Sequence, residues 1–505
     1  MAGPDYFKEK EMSIPKGGVR TRFAPSPTGH MHVGNLRTAL YAYLIARKNA
    51  GRFILRIEDT DLNRFTEGAV EAIFKTLDEC GLIYDEGPDK PSPSGPYVQT
   101  ERREIYSNYA ELLIKLGGAY RCFCEKDAQG EDGPGAGAGR KYDGRCGRLS
   151  ESRINELLEA KVPFVIRQKI PQEGETSVYD EVFGKITVKN DTLDDNVLIK
   201  SDGLPTYNFA NVIDDRLMGI THVVRGTEYL SSAPKYNLLY ESFGWEPPKY
   251  IHCPPVMRDA NNKMSKRRGD PSYEDLTALG YLAPAVINYV ALLGWSPGGE
   301  REMFSLSELC GVFDIAGISK SPAIFDIEKL AHFNSEYIRA MPAEEFAALA
   351  RPYIRKAVKN PCIDPDLIAP LLQQRCEKLS DIPGKLDFFD TTAEYDTELY
   401  IHKKSKTDEA VSSEMLKAAL PALESVSAWD DAGINRAMAE TAERLGVKNA
   451  TLMWPVRTAV SGKAVTPGGA VEICRILGKA ETLARIEKGI EKLRSAVERR
   501  ESAEG

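Results

Sequence analysis

The sequence predicts an α/β protein: a parallel sheet with crossover helices, interrupted by an inserted α+β module and followed by an all-α C-terminal region. Three observations predict it. Short apolar strands alternate with helix-period segments near the N-terminus. The alternation stops for a run of short β-like segments and then returns. From about Glu328 onward every periodic segment is helical.

Val19–Ala24 alternates and stops at Pro25, as a strand does. Gly34–Asn49 carries Leu36, Leu40, Tyr43 and Leu44 at helical spacing, with Gly51 as its stop. Phe53–Ile57 reads as a second strand and Glu67–Cys80 as a second helix, so the first two strands run parallel. Arg102–Leu116 is a third helix. The β-like runs Val162–Arg167, Lys185–Lys189 and Asn196–Lys200 form the inserted module. The α/β pattern resumes with Thr221–Arg225, a helix over Pro234–Phe243 and the strand Lys249–His252. Helices are expected over Glu344–Ala357, Asp366–Lys378, Ser413–Ser425, Ile434–Leu445 and Val471–Arg499. The divisions are 1–118, 119–205, 206–327 and 328–505, the last as one or two all-α domains.

With 505 residues, roughly three to five domains fit. Hydrophobic residues are 42% and charged residues 28%, the balance of an ordinary globular protein. A net charge of −8 excludes a nonspecific polycation but not a nucleic-acid partner, which needs only a local basic surface. Met1–Gly18 lacks the apolar stretch of a signal peptide. Ala283–Trp295, the longest apolar run, contains Pro284 and Asn288 and is too short to span a bilayer, so no membrane partner is expected. Nine cysteines without regular spacing suit a reducing cytoplasm better than a disulfide framework.

Two segments carry chemistry. His30-Met-His32-Val-Gly34-Asn35 follows a strand and opens a helix, so backbone N–H groups and the positive helix end face the turn. Two imidazoles there can donate to phosphate oxygens, and Gly34 lets a flat base or ribose lie against the backbone. The bland readings are a Pro-rich turn with two partly exposed histidines, or a His-x-His metal pair without a nearby third ligand. Lys263-Met-Ser-Lys266-Arg267-Arg268-Gly269 places four cations on a loop, enough to hold a pyrophosphate. Alone it is equally well a solvated basic loop. Gly133–Gly139 imitates a phosphate loop, but no Gly-Lys-Ser/Thr follows at the required offset, so a surface loop is expected.

Together the two segments resemble the HIGH and KMSKS signatures of class I aminoacyl-tRNA synthetases. The strings Arg22–Arg37, Arg56–Asp61, Gly203–Asn211, Val224–Gly226 and Trp454–Arg457 resemble the bacterial-type glutamyl-tRNA synthetase family, and the helical C-terminal third matches that type. The resemblance implies a Rossmann-like catalytic domain, an insertion that holds the tRNA acceptor end, and helical anticodon-binding domains. It implies ATP with Mg2+ as cofactor, L-glutamate and tRNA-Glu as partners, and a cytoplasmic monomer. Glutamate would be activated at the α-phosphate and passed to the 2′-hydroxyl of the terminal adenosine, the activation requiring bound tRNA. His32, Gly34, Lys263, Lys266 and Arg267 would serve ATP. Arg22 and Arg225 would meet carboxylates, Glu58 the ammonium, and Ser26, Tyr207 and Asn211 would add neutral hydrogen bonds. Position 35 is Asn where the signature can carry His, which this subfamily tolerates.

Further expectations rest on the same resemblance. Arg375, with Gln373 and Gln374 on a helix, would contact the anticodon, or be a solvated helix charge. Trp454 is expected in the core rather than as a stacking platform. Cys122, Cys124 and Cys146 with Tyr142 are either a zinc site or three reduced thiols; Arg148, where a relative carries His, favours the thiols. Charging of tRNA-Gln as well is the alternative activity. A glutamyl-queuosine synthetase is disfavoured by the long helical C-terminus. A glutaminyl enzyme is disfavoured by the lack of a β-rich one, and a non-catalytic RNA-binding paralogue by the intact basic loop.

Overall fold

The computed structural model describes residues 2–61, 66–124, 142–264, 268–392 and 394–504. They form two compact units: Met1–Thr277 with Ala283–Ile327, and Ala278–Leu282 with Glu328–Gly505. The short segment Ala278–Leu282, read above as part of the preceding domain, thus belongs to the helical unit. Lys266, Arg267 and the Gly133–Gly139 loop lie outside the described residues.

The strands of the first unit, in chain order, are β1 (Arg20–Phe23), β2 (Arg52–Leu55), β3 (Ala119–Cys122), β4 (Val165–Gln168), β5 (Glu175–Asp180), β6 (Gly184–Lys189), β7 (Val197–Ile199), β8 (His222–Gly226), β9 (Lys249–Cys253), β10 (Val256–Met257) and β11 (Ala323–Ile324). The main sheet has the order β2-β1-β8-β9-β5-β6. β1 runs parallel to β2 in register Arg20↔Arg52 to Phe23↔Leu55, and parallel to β8 through Thr21↔His222. β8 runs parallel to β9 from His222↔Lys249 to Gly226↔Cys253. The chain leaves β1 towards one side for β2 and arrives on the other side as β8. That reversal opens a crevice at the carboxyl ends of the strands, the usual ligand position in such sheets.

Local chemistry explains these elements. β1 is buried at every position, as expected of an inner parallel strand. The helix Val33–Lys48 starts on His32 and ends with Arg47 and Lys48 at the negative end of its dipole. A glycine is required just after it, because a Cβ on Gly51 would lie 2.1 Å from the Val19 carbonyl oxygen. Phe209, Ile213, Val223, Tyr236 and Leu239 build a core with Ile54 and Tyr106.

The inserted module departs from the sequence expectation. β3, β4 and β7 form their own antiparallel sheet. The β5–β6 hairpin instead extends the main sheet, with β5 parallel to β9 through Asp180↔Tyr250. β3, β5 and the helix Glu151–Glu159 went unpredicted. β5 buries only Thr176, Val178 and Asp180, too little apolar periodicity to reveal it, and the helix buries no residue at all.

In the second unit, helices span Ala343–Ala357, Pro365–Gln373, Glu409–Glu424, Asp431–Arg444, Asn449–Ser461, Ala470–Leu477 and Lys479–Glu504. Asp364, Asp408 and Asp430 cap three of them, each side chain accepting a first-turn N–H. Phe346, Leu372, Leu416, Met438, Val456, Ile473 and Ile486 share the core. Two expectations are corrected. The helix read over Val471–Arg499 is broken at Gly478, whose φ of 80° ends the first part. The helix read over Asp366–Lys378 ends at Gln373, so Arg375 lies beyond it. Helix Asn449–Ser461 escaped prediction because Pro455 sits inside it. Among the described residues, no helix is long and apolar enough to cross a membrane.

Candidate functional site

The turn after β1 is fixed by His32. Its Nδ1 accepts the Gly34 N–H at 3.0 Å, so the ring caps its own helix. An accepting Nδ1 places the proton of the neutral ring on Nε2. Nε2 is buried and has no partner among the described residues, which leaves one N–H donor beside the helix N-terminus. Burial lowers the His32 pKa, opposed by the charge of Asp270, and so favours this neutral form. A Cβ on Gly34 would press to 3.3 Å from Nδ1. His30, the other imidazole, is exposed on the turn.

The basic loop meets this turn. Its base is a narrow hairpin, with Met257 bridged to Lys263 and the Met264 N–H donating to the Val256 carbonyl. Arg258 holds the returning chain through Nε to Asp270 at 2.6 Å and Nη2 to the Arg268 carbonyl at 2.8 Å. Arg268 donates to Asn262 Oδ1 at 2.8 Å. The returning chain then bridges His32 at Ser272, and the Tyr273 N–H donates to the Met31 carbonyl at 3.0 Å. Met31 N–H is held in turn by the Glu274 carboxylate. The chain that returns from the basic loop is therefore stitched to the imidazole turn that sequence placed far from it.

A second group of side chains gathers at the ends of β1, β2 and β8. Arg22 donates Nε to Asp215 at 3.1 Å and Nη1 to the Val224 carbonyl at 3.1 Å. Arg56 reaches Asp215 at 2.8 Å and Glu58 Oε1 at 2.9 Å. Burial raises the Glu58 pKa, with Arg56 and Arg22 pulling it back. Tyr207 lies within electrostatic reach of Arg225, Glu58 and Arg22, and burial pushes its hydroxyl pKa up. Asn211, one helical turn on, donates Nδ2 to the Tyr207 carbonyl at 2.6 Å. Arg225 sits among aromatic faces, 4.6 Å from the Tyr236 ring centre, 5.2 Å from Tyr250 and 5.6 Å from Tyr229. Ser26 is exposed on the turn after β1, where its carbonyl accepts the Thr28 N–H.

Sequence reasoning missed Arg56, Asp214, Asp215, Tyr229 and Tyr236. The one available signal was the Asp214-Asp215 pair, which follows Asn211 on a helix otherwise rich in apolar residues. Asp59 proves structural: it accepts the Thr100 N–H at 2.9 Å and its hydroxyl at 2.6 Å, pinning a neighbouring turn.

In the inserted module the Sγ atoms of Cys122, Cys124 and Cys146 lie within 4.8 Å of one another. The Tyr142 hydroxyl is 3.3 Å from Cys122 Sγ and 3.5 Å from Cys124 Sγ. Burial works against the Cys122 thiolate, but the Tyr142 hydroxyl, the Cys124 N–H and Arg167 outweigh it and bring the thiol below its ordinary value. Burial and its sulfur neighbours push Cys124 up to about 11, against the Tyr142 hydrogen bond.

In the helical unit Arg375 is exposed at its surface and donates Nη1 to the Thr466 carbonyl. Trp454 donates Nε1 to the Leu399 carbonyl at 2.9 Å. His402 stacks on its ring at 3.7 Å, 8° from parallel, and Arg457 lies 4.2 Å from the same ring centre. A face stacked that closely cannot also hold a guanidinium, so both faces of Trp454 are covered by its own chain.

The chain is similar to known proteins over nearly its whole length. The family described as tRNA synthetases class I (E and Q), catalytic domain, matches residues 18–332, and an anticodon binding domain matches residues 343–490. A glutamate–tRNA ligase of Clostridium tetani is 57% identical over 95% of this chain and 99% of its own length. One of Clostridium botulinum is 55% identical over 94% and 99%. A crystal structure of a glutamate tRNA ligase from Elizabethkingia meningosepticum, in complex with its amino acid, superposes with a TM-score of 0.84 at 35% identity, covering 94% of this chain and 99% of that one.

Proposed function

Because the chain belongs to the class I tRNA synthetase family of glutamate and glutamine enzymes, we propose that its two stitched segments hold ATP and that the neighbouring cluster of charges holds glutamate. The activity is that of a glutamate–tRNA ligase: L-glutamate is joined to tRNA at the expense of ATP, which leaves as AMP and pyrophosphate. The observation that carries the placement is the His32–Ser272 bridge, which brings the return of the basic loop onto the imidazole turn.

The His32 Nε2–H donates to the triphosphate, backed by the positive end of its helix. Gly34 leaves room for the nucleoside. Lys263, Lys266 and Arg267 take the charge that builds on pyrophosphate as it departs. Synthetases of this kind use ATP with Mg2+, which would add positive charge against the triphosphate that His32, Lys263, Lys266 and Arg267 hold. In the amino-acid cluster, Arg225 pairs with the side-chain carboxylate and Arg22 with the carboxylate that reacts. Glu58, whose hydrogen bonds from Arg56 both fall on Oε1, takes the ammonium. Ser26, Tyr207 and Asn211 orient the molecule. A carboxylate oxygen of glutamate attacks the α-phosphorus as the bond to pyrophosphate breaks. The terminal ribose hydroxyl of tRNA then attacks the carbonyl, and AMP leaves. With so little covalent work for side chains, placement and charge supply the rate. Arg375 meets an anticodon base, Thr466 fixing the guanidinium through Nη1.

Aminoacylation with glutamate and glutamine against tRNA-Glu and tRNA-Gln tests this reading. The expected product is glutamyl-tRNA-Glu with ATP consumed; glutamine attached to either tRNA would sink it. Glutamate attached to tRNA-Gln as well would make the enzyme non-discriminating.

The cysteine cluster fits zinc. A tetrahedral ion with Zn–S near 2.3 Å needs sulfurs about 3.8 Å apart, and three here lie within 4.8 Å, with the Tyr142 hydroxyl beside two of them. Zinc there would tie the end of β3 to the turn around Cys146. Purified protein is expected to carry about one equivalent of zinc, and Cys124→Ser under a tenth of one; wild-type protein at under a tenth would restore the reduced-thiol reading.

A further inference from the structure

The Arg225 side chain is held from behind by a buried pair that lies outside the sites described so far. Arg225 Nε donates to His252 Nε2 at 3.0 Å. On the far side of the ring, His252 Nδ1 lies 2.6 Å from Asp180 Oδ2. All of these side chains are buried, His252 and Asp180 completely. The direction of the chain can be deduced. Asp180 Oδ1 accepts the Val182 N–H at 2.9 Å and the Phe183 N–H at 2.8 Å, and Oδ2 accepts the backbone N–H of His252 at 3.1 Å. Every neighbour donates to this carboxylate, so Nδ1 carries the ring proton and donates to it too. Nε2 is then the unprotonated nitrogen and can accept only from Arg225.

The effect falls on the other end of the guanidinium. Nε is committed to His252, three aromatic rings surround the group, and Nη2 is buried with no partner among the described residues. A buried, unpaired N–H group on a cation costs free energy unless a ligand satisfies it. We propose that Asp180 and His252 are positioning residues for the amino-acid site: they lock the rotation of Arg225 so that its free Nη2 presents to the side-chain carboxylate of glutamate. This rests on the assignment of Arg225 to that carboxylate. The geometry also gives Asp180 a second duty, because the same residue registers β5 against β9 and so joins the inserted hairpin to the main sheet. An assembly whose pieces come from β5, β8 and β9 cannot be read from one segment of sequence.

The ring must stay neutral for this to work. Protonated, its Nε2–H would point at the Arg225 Nε–H and push the guanidinium away. Burial lowers the His252 pKa and so does the charge of Arg225, while Asp180 and Glu228 raise it; Tyr250 packs beside the ring without charge. Protonation therefore belongs below the ordinary value of 6.5, and the lock loosens only on the acid side.

The test is steady-state aminoacylation by the full chain, varying glutamate at saturating ATP and tRNA, then varying ATP. His252→Leu removes the acceptor. Loss of a hydrogen bond to a charged group should raise the glutamate KM about tenfold or more, while the ATP KM stays within about twofold of wild type. His252→Gln, whose carbonyl can accept from Arg225, should recover most of the loss. Below pH 6.5 the wild-type glutamate KM should climb more steeply than that of His252→Gln; Glu58 titrates in both proteins, so the difference isolates the imidazole. An unchanged glutamate KM in His252→Leu, or equal rises in both substrates' KM values, would overturn the inference. If His252→Leu does not fold, His252→Gln decides through the pH profile, where identical acid limbs reject the proposal. Arg225→Ala separates the two layers. A normal glutamate KM in that variant removes the site assignment itself, whereas a large rise there with none in the His252 variants removes only the lock.

Discussion

Replacing His32 with asparagine is expected to slow glutamate activation by about 10²–10³-fold while leaving the protein folded, because this substitution separates the two jobs of the imidazole. Nδ1 caps the helix by accepting the Gly34 N–H, and Nε2–H is the free donor beside the helix end. Asparagine is among the best N-cap residues, so its carbonyl keeps the cap. Its short side chain ends before the position of Nε2, so the donor to phosphate is lost. Alanine loses both and should also cost about 1 kcal/mol of stability. The readout is pyrophosphate exchange measured with tRNA present, beside a thermal unfolding curve. An asparagine variant with wild-type exchange would remove His32 from the ATP site.

The alternation of strands and helices was legible because short extended segments that stop at turn residues such as Pro25 are separated by helices with a clear apolar period; β1, β2, β8 and β9 all lie within two residues of their expected positions. The segments proposed to hold ATP could be picked out for a different reason. Each keeps its donors within a few consecutive residues, so chemistry and spacing coincide in one string. The cluster proposed for glutamate could be picked out only through family resemblance, since Arg22, Glu58, Tyr207 with Asn211, and Arg225 come from four separate segments of the chain. What lay beyond reach was the support behind them. Asp180 sits on a strand with too little apolar pattern to be seen, and Asp214 and Asp215 look like ordinary helix charges until folding buries them. The position of Arg375 failed for a local reason: the apolar period of its helix stops at Leu372, and the three polar residues after it carry no periodic information.

The hidden acid with the largest expected effect is Asp214. It is fully buried, and four donors reach it. Arg102 Nε donates to Oδ1 at 2.7 Å, Gln99 Nε2 to Oδ2 at 2.9 Å, and the Tyr106 hydroxyl to Oδ2 at 2.8 Å. Arg56 Nε lies 3.7 Å from Oδ2. Two buried guanidiniums thus depend on this carboxylate. Arg56 keeps Asp215 and Glu58 if it is lost, but among the described residues Arg102 keeps only the carbonyls of Ser94 and Pro96. Breaking a buried pair by removing one partner costs about 3–5 kcal/mol, because the remaining charge stays out of water. Asp214→Ala is expected to lose that much, read as a shift of the urea unfolding midpoint. Asp214→Asn should lose nearly as much despite its shape, since its amide N–H groups would face donors on Arg102, Gln99 and Tyr106. The exposed pair Arg153–Glu156 is the control: Glu156→Ala should move the midpoint by no more than about 0.5 kcal/mol equivalent. If Asp214→Ala were no worse than that control, the network around Arg56 and Arg102 would be packing without electrostatic consequence. The site would then owe its rigidity to the aromatic shell alone. A loss in the expected range would place the stability of the amino-acid pocket in the same buried charges that orient Arg22 and Glu58, so that substitutions there should lower glutamate affinity and unfolding midpoint together.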